Sequence, residues 1–348
     1  MHLYLVDSAV KIGLSENRLT VKSAADDSLV RDFPFDDVDG ISVFGKPQFS
    51  THLLCACIGR VVPVLFYSED GRYFGHLSLS EHVDPERQKR QIYLSDDKDF
   101  CLAWSKRIVR AKLLNGLQML QSLPDVYEFQ ERELHGLLHS LEYLHTAESV
   151  SQVLGFEGNG AKAYFSCLPK LLTNGDFSFR GRSARPPRDA FNSMLSFGYS
   201  IVHRNIVGAV NAAGLHPSFA FLHATKQGHA ALASDLMEEW RAWLVDRVVL
   251  DLVNGGAVCR GDFYENDVGA VRMQVNAMRC LAHRLGDEMV RSEAYFFEGG
   301  DGRACGFQVA LRRKVLMLAE AMEKGDPAAY QPFVWRRDME ARGHAEGS

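Results

Sequence analysis

The chain divides by the period of its apolar residues. From residue 1 to about 78 they come in short runs, several of them alternating: HLYLV, VKIGL, RLTVKS, SLVRDFP and GISVFG. Asp-Ser, Glu-Asn, Asp-Asp and Gly-Lys-Pro turn signals separate these runs, which is the pattern of a β region. One helix interrupts them at 50–59, with Ser50 or Thr51 as its N-cap, and VVPVLFY and RYFGHLS then supply two more strands. LSEHVDPERQ reads as a linker, and Pro85 suits the first turn of a new helix. Beyond about 86 the spacing predicts helices over 86–122, 126–145, 147–154, 158–170, 187–213, 228–253, 267–287 and 304–324. In 228–253 an apolar stripe runs through Leu232, Leu236, Trp240, Trp243 and Leu244. The long non-helical stretch inside is 172–186, TNGDFSFRGRSARPP, and loops of that length are functional or disordered. The expected fold class is α+β. A small N-terminal β-rich domain (1–83) precedes a larger all-α domain (84–335) and a polar tail (336–348).

Composition narrows the class. In 348 residues, 46% apolar and 24% charged content is that of a folded protein with a sizeable core. The sequence begins without a basic segment followed by an apolar run, and no stretch is long and apolar enough for a membrane span. WLVDRVVLDLV is broken by Asp246, Arg247 and Asp251. Seven scattered cysteines without a CxxC indicate neither a disulfide framework nor a zinc knuckle, and Cys55 and Cys57 read as core filler. A reduced, cytoplasmic protein is expected. The net charge of −5 argues against a uniformly basic nucleic-acid coat, but arginines and lysines cluster locally, at 106–112 and 180–188 among others. Each cluster alone is equally a solvated helix face.

The candidate chemistry lies where acids stand among small and apolar residues. GFEGNGAKAYF carries Glu157, GLHPSFAFLHATKQGHAALA carries His223, and SDLMEEWR carries Asp235, Glu238 and Glu239. An acid in such a setting is costly unless a positive group neutralises it, and a divalent metal does so. Carboxylates with one neutral imidazole suit Mn²⁺, and Mg²⁺ where waters complete the shell. On a regular helix Asp235 and Glu239 border the apolar stripe more closely than Glu238 does, so geometry alone favours that pair. The alternatives are plain: a solvated acidic edge beside Arg241, a structural histidine, and a Glu157 complementing a helix dipole at a glycine-punctuated junction between two helices. RGRSARPPRDAFNSMLSFGY offers a proline-stiffened arginine loop suited to phosphate, or a flexible charged loop.

Five motifs in this order resemble the CRISPR-associated adaptation integrase/endonuclease family, its first-numbered protein. They are G-x-E-G-x-x-A-x-x-Y-F, R-x-x-x-P-P, N-x-M-L-S-F-x-Y, G-L-x-P-x-x-x-F-L-H and D-L-M-E-E. The form of the arginine block is most similar to the branch accompanying subtype I-C systems. The resemblance implies that Glu157, His223 and Glu238 are ligands of Mg²⁺ or Mn²⁺, with Asp235 the neighbouring catalytic acid. It sides with Glu238 against the helical-wheel choice of Glu239. Asp235 either binds a second ion or takes a proton; the sequence leaves both open. Tyr164, Arg182, Arg185, Asn192 and Lys226 match positions that orient DNA. GHAALAS departs from the family pattern ahead of Asp235. The implied activity inserts short DNA fragments into a repeat array by 3′-hydroxyl transesterification, with cleavage of branched DNA as a side reaction. The implied partners are double-stranded DNA (fragment and CRISPR repeat), a second copy joined through the β domain, a bridging dimer of the second adaptation protein, and an iron–sulfur trimming nuclease. Two other readings stand beside it: a stand-alone structure-specific endonuclease and a catalytically silent DNA-bridging scaffold.

Overall fold

The computed structural model describes residues 2–6, 9–60, 62–68, 73–77, 84–291 and 305–335; the expected tail at 336–348 and the first half of the expected linker lie outside them. The N-terminal part holds β1 (His2–Leu5), β2 (Val10–Ser15), β3 (Arg18–Ser23), β4 (Leu29–Pro34), β5 (Gly40–Phe44), β6 (Gln48–Phe49), α1 (Thr51–Gly59), β7 (Val64–Tyr67) and β8 (Tyr73–Leu77). Two four-stranded sheets result, ordered β1-β5-β7-β8 and β4-β3-β2-β6. In the first, β1, β5 and β7 run parallel, with Ile41 opposite both Leu3 and Val64, and β8 pairs antiparallel with β7. Central strand β5 is buried along its whole length, as a strand covered on both faces must be. One face, with Leu3, Ile41, Val43 and Val64, packs on Ile12, Leu19 and Val21 of the second sheet and on Leu53 and Cys57 of α1. Ser50 caps α1 by accepting from Leu53 N. Cys57 is buried as expected; Cys55 is exposed. The other face joins the helical core, where Phe44 stacks on Tyr67 with centroids 4.5 Å apart and meets Phe197 at 5.1 Å.

The helical part contains α2 (Pro85–Asp96), α3 (Lys98–Gln121), α4 (Glu131–Tyr143), α5 (Val150–Cys167), α6 (Ala190–Ala212), α7 (Ala231–Met237), α8 (Arg247–Asn254), α9 (Val275–Val290) and α10 (Phe307–Lys324). The α+β class is as expected, with four local departures. The helix expected over 86–122 breaks at Asp97, whose carboxylate caps α3 by accepting from Asp99 N and Phe100 N at 3.0 Å. The two helices expected over 147–154 and 158–170 are one; of its glycines, Gly160 marks close packing, whereas a Cβ on Gly155 or Gly158 would meet nothing within 4 Å. A Cβ on Gly160 would stand 2.3 Å from Leu113 Cδ2, and one on Gly116 would stand 3.2 Å from Tyr164 Cδ2. α3 and α5 therefore approach closely at both positions. The helix expected over 228–253 is interrupted after Met237, and a π-helical turn spans Arg241–Asp246 before α8 begins. A hairpin of β9 (Phe263–Glu265) and β10 (Val271–Met273) takes up the first part of the helix expected over 267–287. Among the described residues no helix is long and apolar enough to cross a membrane.

Candidate metal centre

Three elements bring the acids together. The glycine-mediated contact between α3 and α5 sets Lys112 of α3 against Glu157 of α5, and their side chains form an ion pair. The same ammonium lies 2.6 Å from Glu238 Oε2, just past the end of α7. Glu238 is only 3% exposed. Its Oε2 is buried and receives no directed hydrogen bond among the described residues, while Arg241 Nη2 lies 3.1 Å from its Oε1. Burial alone would raise this carboxyl, but Arg241, Lys112 and His223 outweigh it and hold the pKa at about 2. Glu238 is thus an anion in the interior, kept so by neighbouring cations.

His223 reaches the same place from the loop ahead of α7. Its Nε2 stands 3.9 Å from Glu238 Oε1. Its Nδ1 is 2.7 Å from Asp235 Oδ1. Asp235 is fully buried, and both its oxygens are engaged. Oδ2 accepts from Phe221 N and Leu222 N, and Oδ1 from His223 N, each at 2.9 Å. Asp235 therefore clamps the loop to α7 and orients the imidazole, the support that a metal-ligating histidine ordinarily has. Both Asp235 oxygens are thus taken up by the loop at 221–223, and the carboxylate stands on the Nδ1 side of His223. Burial works against the His223 imidazolium, yet the Asp235 hydrogen bond and charge push its pKa above the ordinary value.

The interruption after Met237 decides between Glu238 and Glu239. Glu239 turns away from the site, accepting from Tyr330 Oη at 2.6 Å and from Phe333 N. The helical-wheel preference for Glu239 fails because the chain is no longer a regular helix where the wheel was applied.

The donor set fits a hard divalent cation. Glu157, Glu238 and the Nε2 of His223 offer two carboxylates and an imidazole. An ion with ligand bonds of about 2.1 Å spaces its ligand atoms about 3–4 Å apart, the range in which Glu238 and His223 stand. Among the described residues no three such groups already form a ligating cluster; the Lys112 ammonium contacts both glutamates.

The expected DNA-orienting residues fall into two groups. Lys226 and Arg185 are exposed at the rim. With His223, they add to the burial that lowers the pKa of His229, so these positive groups share one edge of the site. Arg182, Asn192 and Tyr164 are turned inward. Arg182 donates to Asn192 Oδ1 at 2.9 Å and Ser196 Oγ at 3.0 Å and lies 5.3 Å from the Tyr199 ring. Asn192 is fully buried. Tyr164 and Tyr199 donate to Asp246 at 2.8 and 2.5 Å, and burial raises that carboxyl to about 6. Tyr164 and Asn192 are buried, with their polar groups engaged inside the protein. The sequence reading missed Lys112 and Arg241 as parts of the site. The signal for Lys112 was its helical spacing from Ile108, Asn115 and Met119, all buried on α3.

The family model described as CRISPR associated protein Cas1 matches residues 3–286. A CRISPR-associated endonuclease Cas1 of Mycobacterium tuberculosis is 37% identical over 94% of this chain and 96% of its own. A CRISPR-associated exonuclease Cas4/endonuclease Cas1 fusion of Leptospira interrogans is 31% identical over 76% of this chain and 50% of its own. Among solved structures, a casposase bound to integration product superposes with a TM-score of 0.82 at 21% identity, covering 99% of each chain, a likeness of fold. With motifs, fold and relatives in agreement, the chain belongs to the CRISPR associated protein Cas1 family.

Proposed function

We propose that this protein is a metal-dependent DNA integrase and endonuclease of CRISPR adaptation. The observation that carries the reading is that Glu157 and Glu238, from separate parts of the chain, both pair with Lys112, while His223, held by Asp235, stands 3.9 Å from Glu238. Glu157, Glu238 and His223 Nε2 would hold Mg²⁺ or Mn²⁺. Bound there, the ion would supply electrostatic stabilisation of the charge that grows on a scissile phosphate. Asp235 keeps the proton on Nδ1, so that Nε2 presents its lone pair. Arg241 keeps Glu238 ionised. Arg185 and Lys226 receive the sugar–phosphate chain at the rim. The 3′-hydroxyl of a DNA fragment forms a new P–O bond at the repeat edge as the old P–O bond breaks. Holding both DNA ends in line removes a large entropic barrier. Water in place of the hydroxyl gives cleavage.

Insertion on two strands needs two sites at a set separation. The β domain is proposed to join two copies, and a dimer of the second adaptation protein to bridge two such pairs. The fusion relative supports an accompanying Cas4-type nuclease for trimming. Stand-alone cleavage is the second reading, favoured by the endonuclease naming of the full-length relative. The deciding experiment is strand transfer into a supercoiled repeat-bearing plasmid, with and without the partner and with chelator. Joining should require Mg²⁺ or Mn²⁺ and vanish in Glu157→Ala and His223→Ala variants that remain folded. A folded His223→Ala protein joining DNA at the wild-type rate would overturn the assignment. Cleavage without joining, whatever the partner, would leave the second reading.

A further inference from the structure

We propose that Lys112 is a built-in competitor of the metal, an internal cation that the ion must expel in order to bind. The inference rests on the metal-binding reading above. Glu157 Oε1 and Glu238 Oε2 both face the Lys112 ammonium. With its nitrogen 2.6 Å from Glu238 Oε2, the ammonium fills the volume between the two carboxylates. A Mg²⁺ ion would need that same volume, at about 2.0–2.1 Å from the oxygens. Both cannot be there together.

Charge leads to the same conclusion. Glu157 and Glu238 carry two negative charges, and Lys112 and Arg241 carry two positive ones. The lysine side chain is 18% exposed and the glutamates 22% and 3%, so water screens the cluster weakly. With the Asp235 carboxylate behind His223 counted as well, adding a divalent ion without moving a cation sets four positive charges against three negative ones in a low dielectric. Arg241 is held by the Tyr199 ring, 4.9 Å from its guanidinium carbon, as well as by Glu238. Lys112, on a flexible stem, is the cation that leaves. In the metal-free protein it holds the two helices in register and keeps the acids from repelling each other.

The test is calorimetric titration of Mn²⁺ into DNA-free protein. Lys112→Met should bind Mn²⁺ about fivefold more tightly than wild type, the factor carried by a modest ion pair. Lys112→Arg, which keeps the competing charge, should not gain affinity. Unchanged or weaker binding by a folded Lys112→Met protein overturns the proposal. Glu238→Gln separates the two levels: if it binds Mn²⁺ as well as wild type, the metal site itself is misassigned. Should Lys112→Met not fold, wild type supplies the answer. Acetylation of Lys112 by an amine-reactive ester, read by peptide mass spectrometry, should speed up several-fold in saturating Mg²⁺. An unchanged or slower rate overturns the proposal.

Discussion

Replacing Asp235 by asparagine separates positioning from metal ligation. The carboxylate accepts four hydrogen bonds: three from the backbone N–H groups of Phe221, Leu222 and His223 and one from His223 Nδ1. Asparagine keeps one accepting oxygen and puts an NH₂ where the other stood. Whichever way the amide turns, two donors meet a donor. Bonds to a charged acceptor contribute about 1.5–3 kcal/mol each, so losing two costs about 3–6 kcal/mol. Against a total stability of about 5–15 kcal/mol, that is a large share. The assay is urea unfolding by circular dichroism in chelator, so that no metal takes part. With an m-value near 3 kcal/mol/M, the midpoint should fall by about 1–2 M. Strand transfer should drop about 10–100-fold, the range for losing a group that orients a metal-ligating histidine. An Asp235→Asn protein with an unchanged urea midpoint and abolished metal binding would refute the reasoning. It would make Asp235 a ligand instead of a support.

Other outcomes follow from the same geometry. Glu238 has a folded pKa of about 2 against 4.5 unfolded, so its stabilisation is complete above pH 4.5 and is lost as pH falls toward 2. The contribution is about 3 kcal/mol; in chelator, Glu238→Gln should flatten that acid limb of the stability curve, and an identical limb would count against the ionised interior glutamate. Gly160→Ala drives a methyl group to 2.3 Å from Leu113 Cδ2 and should cost about 1–3 kcal/mol. Strand transfer should fall with it; a second change, Leu113→Ala, should restore part of that loss, and no restoration would mean that the α3–α5 spacing does not set the site. Arg185→Ala should reduce the log–log salt slope of DNA binding by about one unit. Adding Arg182→Ala should change the slope little further while lowering the melting temperature, because Arg182 is tied to Asn192 and Ser196. A second full unit of slope would place Arg182 on phosphate.

Much of the candidate site was legible because its acids stand out of place. Glu157, His223, Asp235 and Glu238 interrupt apolar, small-residue segments, and a charged group there needs a partner wherever the chain goes. The α+β division was equally local: a change of apolar period and Pro85 at a helix start report on backbone geometry within a few residues. What the sequence could not settle depends on groups distant along the chain. Glu238 faces the site and Glu239 does not because the helix breaks at that point and Tyr330 and Phe333 capture Glu239. Asp235 serves as a clamp because the loop at 221–223 turns its backbone N–H groups onto it. Lys112, one of a row of basic residues along α3, becomes part of the site only because Gly160 lets α5 come close enough for Glu157 to meet it. Periodicity identifies which residues need burial or neutralisation; the packing of elements far apart in sequence determines which partner supplies it.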